Sequence, residues 1–289
     1  MRKGILLAGG TGKRLYPITQ GTNKHLLNVY DKPMFFYPLS TLMLAGIKDV
    51  LIISTARDIE SIKRFFKNGS ELGMNISYMV QAKPEGIAQA FLIGEEFIGN
   101  DSVALVLGDN IFHGNELTNQ LRKISGDDSG AYIFAYPVGD PERYGIIELS
   151  NNGKVVGIEE KPVSPKSKYA ITGLYFYDKT IIEKAKRLIP SERGELEISE
   201  INKIYLEEGN LKVEVMGRGM AWLDTGTVDS LHQASSYIRT LQLRQGFKIS
   251  CPEEIAWRNK WINNKELNKI ASNKLKSGYG EYLLELIKN

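Results

Sequence analysis

The chain opens MRKGILLAGGTGKRLYPIT, an apolar run that stops at Gly9-Gly10 and Gly12 and meets Lys13 and Arg14 at once. Backbone N–H groups in a glycine-rich turn after a strand, beside cationic side chains, form a cradle for phosphate. The spacing is neither GxxxxGK[ST] nor GxGxxG, so neither an NTPase P-loop nor a dinucleotide fingerprint is present. The glycines alone also suit a tight turn with charges in solvent. Arg14, running into Leu15, Tyr16 and Pro17, reads as an arginine in a buried loop, which calls for an anion to pair with. Lys24, in TNKHLLNVYDKP, would by itself be a surface charge; beside a phosphate loop it becomes a point charge able to neutralise a triphosphate.

Two carboxylates extend this chemistry. Asp109 follows the apolar run VLG at the carboxyl end of an expected strand, where open α/β sheets bind ligands and where a carboxylate can hold a hard cation. A helix cap or turn Asp is the plainer alternative. Asp224, in WLDTGT, supplies the second carboxylate, and its Thr-Gly-Thr turn is a further place for backbone to approach phosphate. Mg²⁺ takes one or two protein carboxylates and leaves its other positions to phosphate and water, so this pair is a suitable inventory. EEKP adds Glu159, Glu160 and Lys161, and Gly173 interrupts the aromatic run TGLYFYD. Glycine inside a strand suggests close backbone approach, and a neighbouring carboxylate could accept hydrogen bonds from sugar hydroxyls. Taken singly, EEKP also suits a charged sheet edge and YFYD suits core.

The elements that must hold these residues are legible in the apolar pattern. GILLA, DVLIIST, ISYMV, SVALVLGD, AYIFAYPV and ITGLYFYD read as strands, with helices expected over Met34 to Ala45, Asp58 to Phe66 and Gly86 to Phe97. This βαβ alternation requires a largely parallel sheet covered on both faces, a Rossmann-like α/β arrangement. Near Tyr144 the pattern changes: YGIIELSNNGKVVGIEEKP holds two β-rich runs joined by Asn151-Asn152-Gly153, a hairpin signal that inserts antiparallel strands. After Thr227 strand signals stop and about four polar, Lys-rich helical stretches follow. The expected organisation is an α/β domain over 1–227 and a helical subdomain over 228–289 packed on it, since no Pro/Gly/Ser-rich linker separates them.

Composition narrows the partners. With 42% hydrophobic residues, 25% charged residues and a net charge of +3, the chain is globular and gives no electrostatic case for nucleic acid. A lone Cys251 excludes an intramolecular disulfide and a Cys-rich metal site, and His25, His113 and His232 are too few for a histidine zinc cluster; a reducing cytoplasm fits. The apolar stretch Ile5 to Ala8 is too short for a signal-peptide core, and no run is long enough to span a membrane.

In their order, LAGGTGKRLYPIT, KHLLNVYDKPM, QAKPEGIAQA, LGDN, ERYGII, EEKP, TGLYFYD, RGELEIS and WLDTGT resemble the sugar-1-phosphate nucleotidyltransferase family. The likeness covers essentially the whole chain, including CPEEIAWRNKWI, and is nearest to members that act on dTTP and glucose 1-phosphate at the start of deoxysugar synthesis. It implies a three-layer α/β fold with a mostly parallel mixed central sheet, inserted antiparallel strands and a C-terminal helical subdomain. It further implies that Leu7, Gly9, Gly10, Thr11, Gly12 and Arg14 hold the nucleoside triphosphate, with Lys24 on its phosphates and Gln81, Pro84 and Gly86 around the base. Asp109 and Asp224 match the Mg²⁺ aspartates; Tyr144, Gly145, Glu160, Lys161, Gly173 and Tyr175 match the sugar-phosphate site, Lys161 on the phosphate. A homotetramer with feedback by a dTDP-sugar is implied, its regulatory site falling on Gly114, Arg218, Cys251, Glu254, Ile255 and Arg258. Lys13 stands where the family loop usually has Thr, and Asn28 where it usually has Pro.

The implied reaction is an in-line displacement in which a sugar-phosphate oxygen attacks the α-phosphorus and pyrophosphate leaves. The nucleophile is already ionised, so no general base is required and a chain poor in histidine suffices. A transferase making UDP- or CDP-glucose is the nearest rival, because thymine and uracil share a hydrogen-bonding edge. A non-catalytic nucleotide-binding regulator is disfavoured by the presence of Arg14, Lys24, Asp109 and Asp224 together, and an oxidoreductase by the missing GxGxxG and ribose-binding acid.

Overall fold

The computed structural model describes residues 2–275 and 278–288. In chain order the elements are β1 (Lys3–Ala8), β2 (Asn28–Val29), β3 (Lys32–Pro33), α1 (Phe36–Leu44), β4 (Asp49–Ser54), α2 (Ile59–Phe66), β5 (Asn75–Val80), α3 (Gln89–Ile93), α4 (Glu95–Ile98) and β6 (Val103–Leu107). There follow β7 (Asn110–His113), α5 (Leu117–Ser125), β8 (Ala131–Pro137), β9 (Gly145–Leu149), β10 (Val155–Glu160), β11 (Tyr169–Tyr177), α6 (Ile181–Lys186), α7 (Ile198–Glu207), β12 (Leu211–Val215) and β13 (Ala221–Asp224). The chain closes with α8 (Val228–Gln245), α9 (Pro252–Arg258), α10 (Asn264–Ser272) and α11 (Gly278–Lys288).

Strand periodicity sorts the apolar residues into two cores. Leu6, Val50, Ile52, Ala104, Val106, Leu174 and Phe176 face one cluster, while their neighbours Ile5, Leu51, Ile53, Val103, Leu105, Tyr175 and Tyr177 face the other. Side chains that alternate along a strand lie on opposite faces of the sheet, so both faces must be covered. Residues of α1, α5 and the C-terminal helices cover the first and residues of α3, α6 and α7 the second, which makes three layers.

The main sheet has nine strands in the order β10-β9-β11-β6-β1-β4-β5, with β8 joining β11 to β12. Strands β6, β1, β4 and β5 run parallel, and antiparallel pairing begins at β11. The chain leaves β1 toward β4 and returns on its other side as β6, so a topological switch lies between β1 and β6, where such sheets bind ligands. Their register pairs Leu7 with Leu107, which sets the glycine loop and Asp109 side by side at the carboxyl ends.

The hairpin read around Asn151 is β9–β10, closed by Ser150 and Lys154 with Gly153 at φ 77°. The helix expected over Gly86 to Phe97 is shorter and broken. Gly86 has φ 103°, a Cβ there would meet the Leu196 carbonyl at 2.4 Å, and residues 85–88 instead bond the backbone of Leu196. Gly94 then divides α3 from α4. Helix α1 starts at Phe36 rather than Met34 because the N–H groups of Met34 and Phe35 donate to Leu27 and His25 carbonyls.

The helices after Thr227 have no separate core. Cys251, Ile255, Ala256, Leu267, Ala271 and Leu283 belong to the same apolar cluster as Leu39, Leu42 and Met43 of α1, while Ala234 and Ile238 of α8 pack with Val29 and Ile111. Among the described residues no helix is long and apolar enough to cross a membrane.

Candidate functional site

Two cavities open at the carboxyl ends of β1 and β6 and share Ile87, Leu107 and Asp109 as a common wall. The smaller, about 210 Å³, is lined by Leu7, Gly9, Gly10, Lys24, His25, Gln81, Pro84 and Gly86. The larger, about 470 Å³, is lined by Arg14, Tyr144, Gly145, Glu160, Lys161, Gly173, Tyr175 and Asp224. Residues carried by the glycine loop and by the β9–β10 hairpin are thus brought to one place.

Within the glycine loop the roles divide. Gly9 lets the Gln81 side chain cross it: a Cβ would lie 2.2 Å from Gln81 Oε1. Thr11 and Gly12 line neither cavity. Gly12 shapes the turn, at φ 62° and with its carbonyl accepting from Thr19 Oγ1 (2.9 Å) and the Leu15 N–H (2.9 Å). The loop beyond it is not buried as the sequence suggested. Lys13 and Arg14 are exposed, on a single 3₁₀ turn. Arg14 nevertheless leans over the other side of the site, since a Cβ at Gly226 would meet its Nη2 at 2.5 Å.

The aspartates converge through the β7–β13 ribbon, in which Asn110 pairs with Asp224. Lys24 bonds Asp109 Oδ2, and Asn110 Nδ2 donates to Asp109 Oδ1 at 3.0 Å. Burial would raise the Asp109 carboxyl, but the Lys24 charge and these bonds outweigh it and hold it below the usual carboxylate range. Asp224 moves the opposite way: burial and the negative charge of Asp109 raise it, against Arg14, Lys24 and Arg143, whose Nη2 is 3.7 Å away. The negative charge of Asp109 raises Asp224, so the two carboxylates repel each other, a repulsion a hard dication would relieve, and a pair of carboxylates is a donor set that fits Mg²⁺. Among the described residues no group of three or more such ligands exists. His25 is pushed down to about 3 by burial and by Lys24, so its ring is neutral.

Both threonines of the Thr-Gly-Thr turn are already engaged within the fold. Thr225 gives its N–H (3.0 Å) and Oγ1 (2.7 Å) to the Asp109 carbonyl, and Thr227 caps α8 through the Ser230 N–H (3.2 Å). Gly173 does serve close approach, with Asn110 as the approaching group: its N–H donates to Asn110 Oδ1 at 3.0 Å, and a Cβ would meet that oxygen at 2.6 Å.

Asn110 escaped the sequence reading, although it stands in the LGDN motif. It ties Asp109 to Gly173 and also accepts the Trp222 indole N–H at 2.6 Å. Arg143 and Trp222 line the larger cavity too, Trp222 meeting Tyr144 edge-on at 5.1 Å. Arg193 Nη2 lies 2.7 Å from Glu197 and 3.7 Å from Glu160. ERYG and RGELEIS carried Arg143 and Arg193 in plain view, but an arginine beside acids has the same signature as a surface pair.

Around the six expected regulatory residues, Met220, Cys251 and Ile255 belong to one apolar cluster. Gly114 and Arg218 flank Met220, against whose sulfur a Cβ at Gly114 would press (2.3 Å). Cys251, Glu254 and Ile255 are buried at the start of α9, where Glu254 accepts from Arg258 Nε at 2.7 Å. Of the six, Arg258 lines a large cavity, beside Trp257 and Trp261.

Comparison with known proteins follows the same geometry. The nucleotidyl transferase family profile matches residues 3–240. A Neisseria meningitidis protein named glucose-1-phosphate thymidylyltransferase is 57% identical over 286 residues, covering 99% of each chain. A crystal structure from Bacillus anthracis in complex with sucrose superposes with TM-score 0.77 at 43% identity, covering 83% of this chain and 96% of that one. A UDP-glucose pyrophosphorylase bound to UDP-glucose reaches TM-score 0.73 at 24% identity, over 83% of this chain and 100% of its own, a likeness of fold.

Proposed function

Because the chain belongs to the nucleotidyl transferase family, we propose that it transfers a thymidylyl group from dTTP to glucose 1-phosphate and releases pyrophosphate. The observation that carries this reading is the shared wall at Asp109: two adjoining cavities, read here as the sugar-phosphate and nucleotide pockets, meet at one shared carboxylate.

Both reactants are anions, so the protein's task is to hold them in line and to spread the charge of the leaving group. Lys24 and Arg14 cover the departing pyrophosphate from either side of Asp109. Lys24 can exchange its bond to Asp109 for one to a phosphate oxygen without losing a partner of opposite charge. Lys161 and Arg143, both on the larger cavity, orient the sugar phosphate, and Glu160 accepts from sugar hydroxyls. Mg²⁺ held by Asp109 and Asp224 would supply charge neutralisation at the phosphates. The neutral His25 takes no proton, and none needs to be taken. A homotetramer with dTDP-sugar feedback near Arg258 belongs to the same proposal, and light scattering with and without that ligand tests the assembly.

The test of the activity is pyrophosphate release in Mg²⁺ with glucose 1-phosphate and each of dTTP, UTP, CTP, ATP and GTP, then without the sugar phosphate. Release that needs the sugar phosphate and is fastest with dTTP is expected, UTP following because it differs by one methyl. Fastest release with CTP or a purine nucleotide would reassign the base, and none with any nucleotide would remove the catalytic reading.

A further inference from the structure

Gln81, immediately after β5, is buried, and its backbone N–H is fixed on the Ser54 carbonyl at 2.8 Å. Its side chain ends in two atoms of nearly equal size and opposite polarity. Which of them faces the smaller cavity decides what that cavity can recognise, and the surrounding bonds determine it.

The chain of bonds starts at an unambiguous group. The Glu85 carboxylate can only accept, and it accepts from Gln89 Nε2 at 2.7 Å. Gln89 Oε1 must then point the other way. There it receives the Glu85 backbone N–H at 3.3 Å, a group that can only donate, and Gln81 Nε2 at 2.7 Å. With its amide nitrogen given to Gln89, Gln81 turns its Oε1 over Gly9, whose missing Cβ leaves room for it, at the lining of the cavity.

We propose that Glu85 and Gln89 are specificity-determining positioning residues: they lock the Gln81 amide so that the base pocket presents a hydrogen-bond acceptor and selects bases carrying a ring N–H. This rests on reading the smaller cavity as the nucleobase site. Thymine and uracil carry a hydrogen on N3, between two carbonyls. Cytosine has a bare lone pair at N3, which would face the lone pairs of Gln81 Oε1. A pocket built to accept a donor rejects a ligand that offers none far more strongly than shape alone would allow.

The relay also states how the selectivity can be removed without touching the base contact. Gln89 is half-buried at the start of α3 and Glu85 is exposed, so neither substitution opens the core. Gln89→Leu deletes the acceptor that holds Gln81 Nε2 and frees the amide to turn. A double variant, Glu85→Gln with Gln89→Glu, reverses the bond between 85 and 89 but keeps at position 89 an acceptor for Gln81 Nε2, and so preserves the orientation of the Gln81 amide.

The experiment is calorimetric binding of dTTP and dCTP to the intact protein and both variants, with turnover assayed in parallel. Wild type is expected to favour dTTP by roughly 100-fold or more, Gln89→Leu to shrink that ratio at least about tenfold, chiefly through tighter dCTP binding, and the double variant to restore it. A ratio unchanged in Gln89→Leu, or a wild type that binds both equally, overturns the proposal. A role in folding alone would weaken both nucleotides together and leave the ratio where it was. Because binding is read directly, absence of turnover would count against the transferase reading while the binding ratios still judge the relay.

Discussion

Lys24 and Lys32 stand on one connection, between β1 and α1, each bonded to an aspartate, and the surroundings of the two pairs differ. The Lys32 side chain is 2% exposed, and its ammonium donates to Asp31 Oδ1 (2.6 Å), the Ile249 carbonyl (3.0 Å) and Gln242 Oε1 (3.4 Å). All three protons are used, and the other Asp31 oxygen accepts from Lys248 (2.6 Å) and Gln242 (2.9 Å). Among the described residues Lys24 bonds Asp109 alone, at a cavity wall, so ammonium protons remain for a phosphate oxygen. A buried charge with every bond satisfied holds the hairpin β2–β3 to α8, whereas a half-satisfied charge at a cavity is available for chemistry. Neither TNK nor YDK distinguishes the two in sequence.

Breaking each pair should separate turnover from stability. Asp109→Asn should have the largest effect, lowering turnover about 10³-fold while the unfolding midpoint stays close to wild type, because one carboxylate of the negative pair and the partner of Lys24 are lost together. Turnover retained at saturating Mg²⁺ would remove Asp109 from the metal site. Lys24→Met should cost about 10²-fold in kcat/KM for the nucleotide and lower the denaturant midpoint, because Asp109 loses its partner, but by less than Lys32→Met, since Asp109 lines a cavity that water can enter. Lys32→Met should reverse the pattern. With the ammonium gone, Gln242, Asp31 and the Ile249 carbonyl lose a buried partner, and the stability loss is expected near 3 kcal/mol with kcat within about threefold of wild type. If Lys32→Met instead lowered kcat as far as Lys24→Met, the contrast between the two pairs would collapse.

The smallest effect sharpens the comparison through pH. Burial would raise the Asp31 carboxyl, but Lys32, Lys248 and Gln242 outweigh it and hold it below the ordinary value of 3.8. A carboxyl lowered on folding adds stability that is full above the unfolded pKa and is lost as pH falls through the folded one. Urea midpoints measured from pH 6 downward should therefore decline less steeply in Asp31→Asn than in wild type; parallel declines would show that Asp31 gains nothing on folding. The Lys32 ammonium is itself lowered by burial, so the stabilising share of the pair lies with Asp31 and its bonds.

Much of the fold was legible because its cause is local. Strands with apolar residues on both faces announce a covered parallel sheet, and Asn152-Gly153 announces the β9–β10 turn without reference to anything distant. The helix expected over Gly86 to Phe97 does not form whole because Leu196, far along the chain, captures the backbone of residues 85–88. For the same reason the Thr-Gly-Thr turn looked free: nothing in WLDTGT says that Thr225 will bond the Asp109 carbonyl. Arg14 and Gly226 likewise meet only across the site.

The residue types in the sequence determined the chemistry proposed for this protein: a glycine turn with cations suited to phosphate, two aspartates suited to a hard dication, and no histidine cluster or cysteine pair. They also determined the layering, because strand periodicity is a property of the backbone. Which lysine is chemical and which structural, which threonines are occupied, and which end of the Gln81 amide faces the cavity were decided only by the tertiary structure. Each depends on the number of partners a polar group finds once it is buried, and those partners come from distant segments.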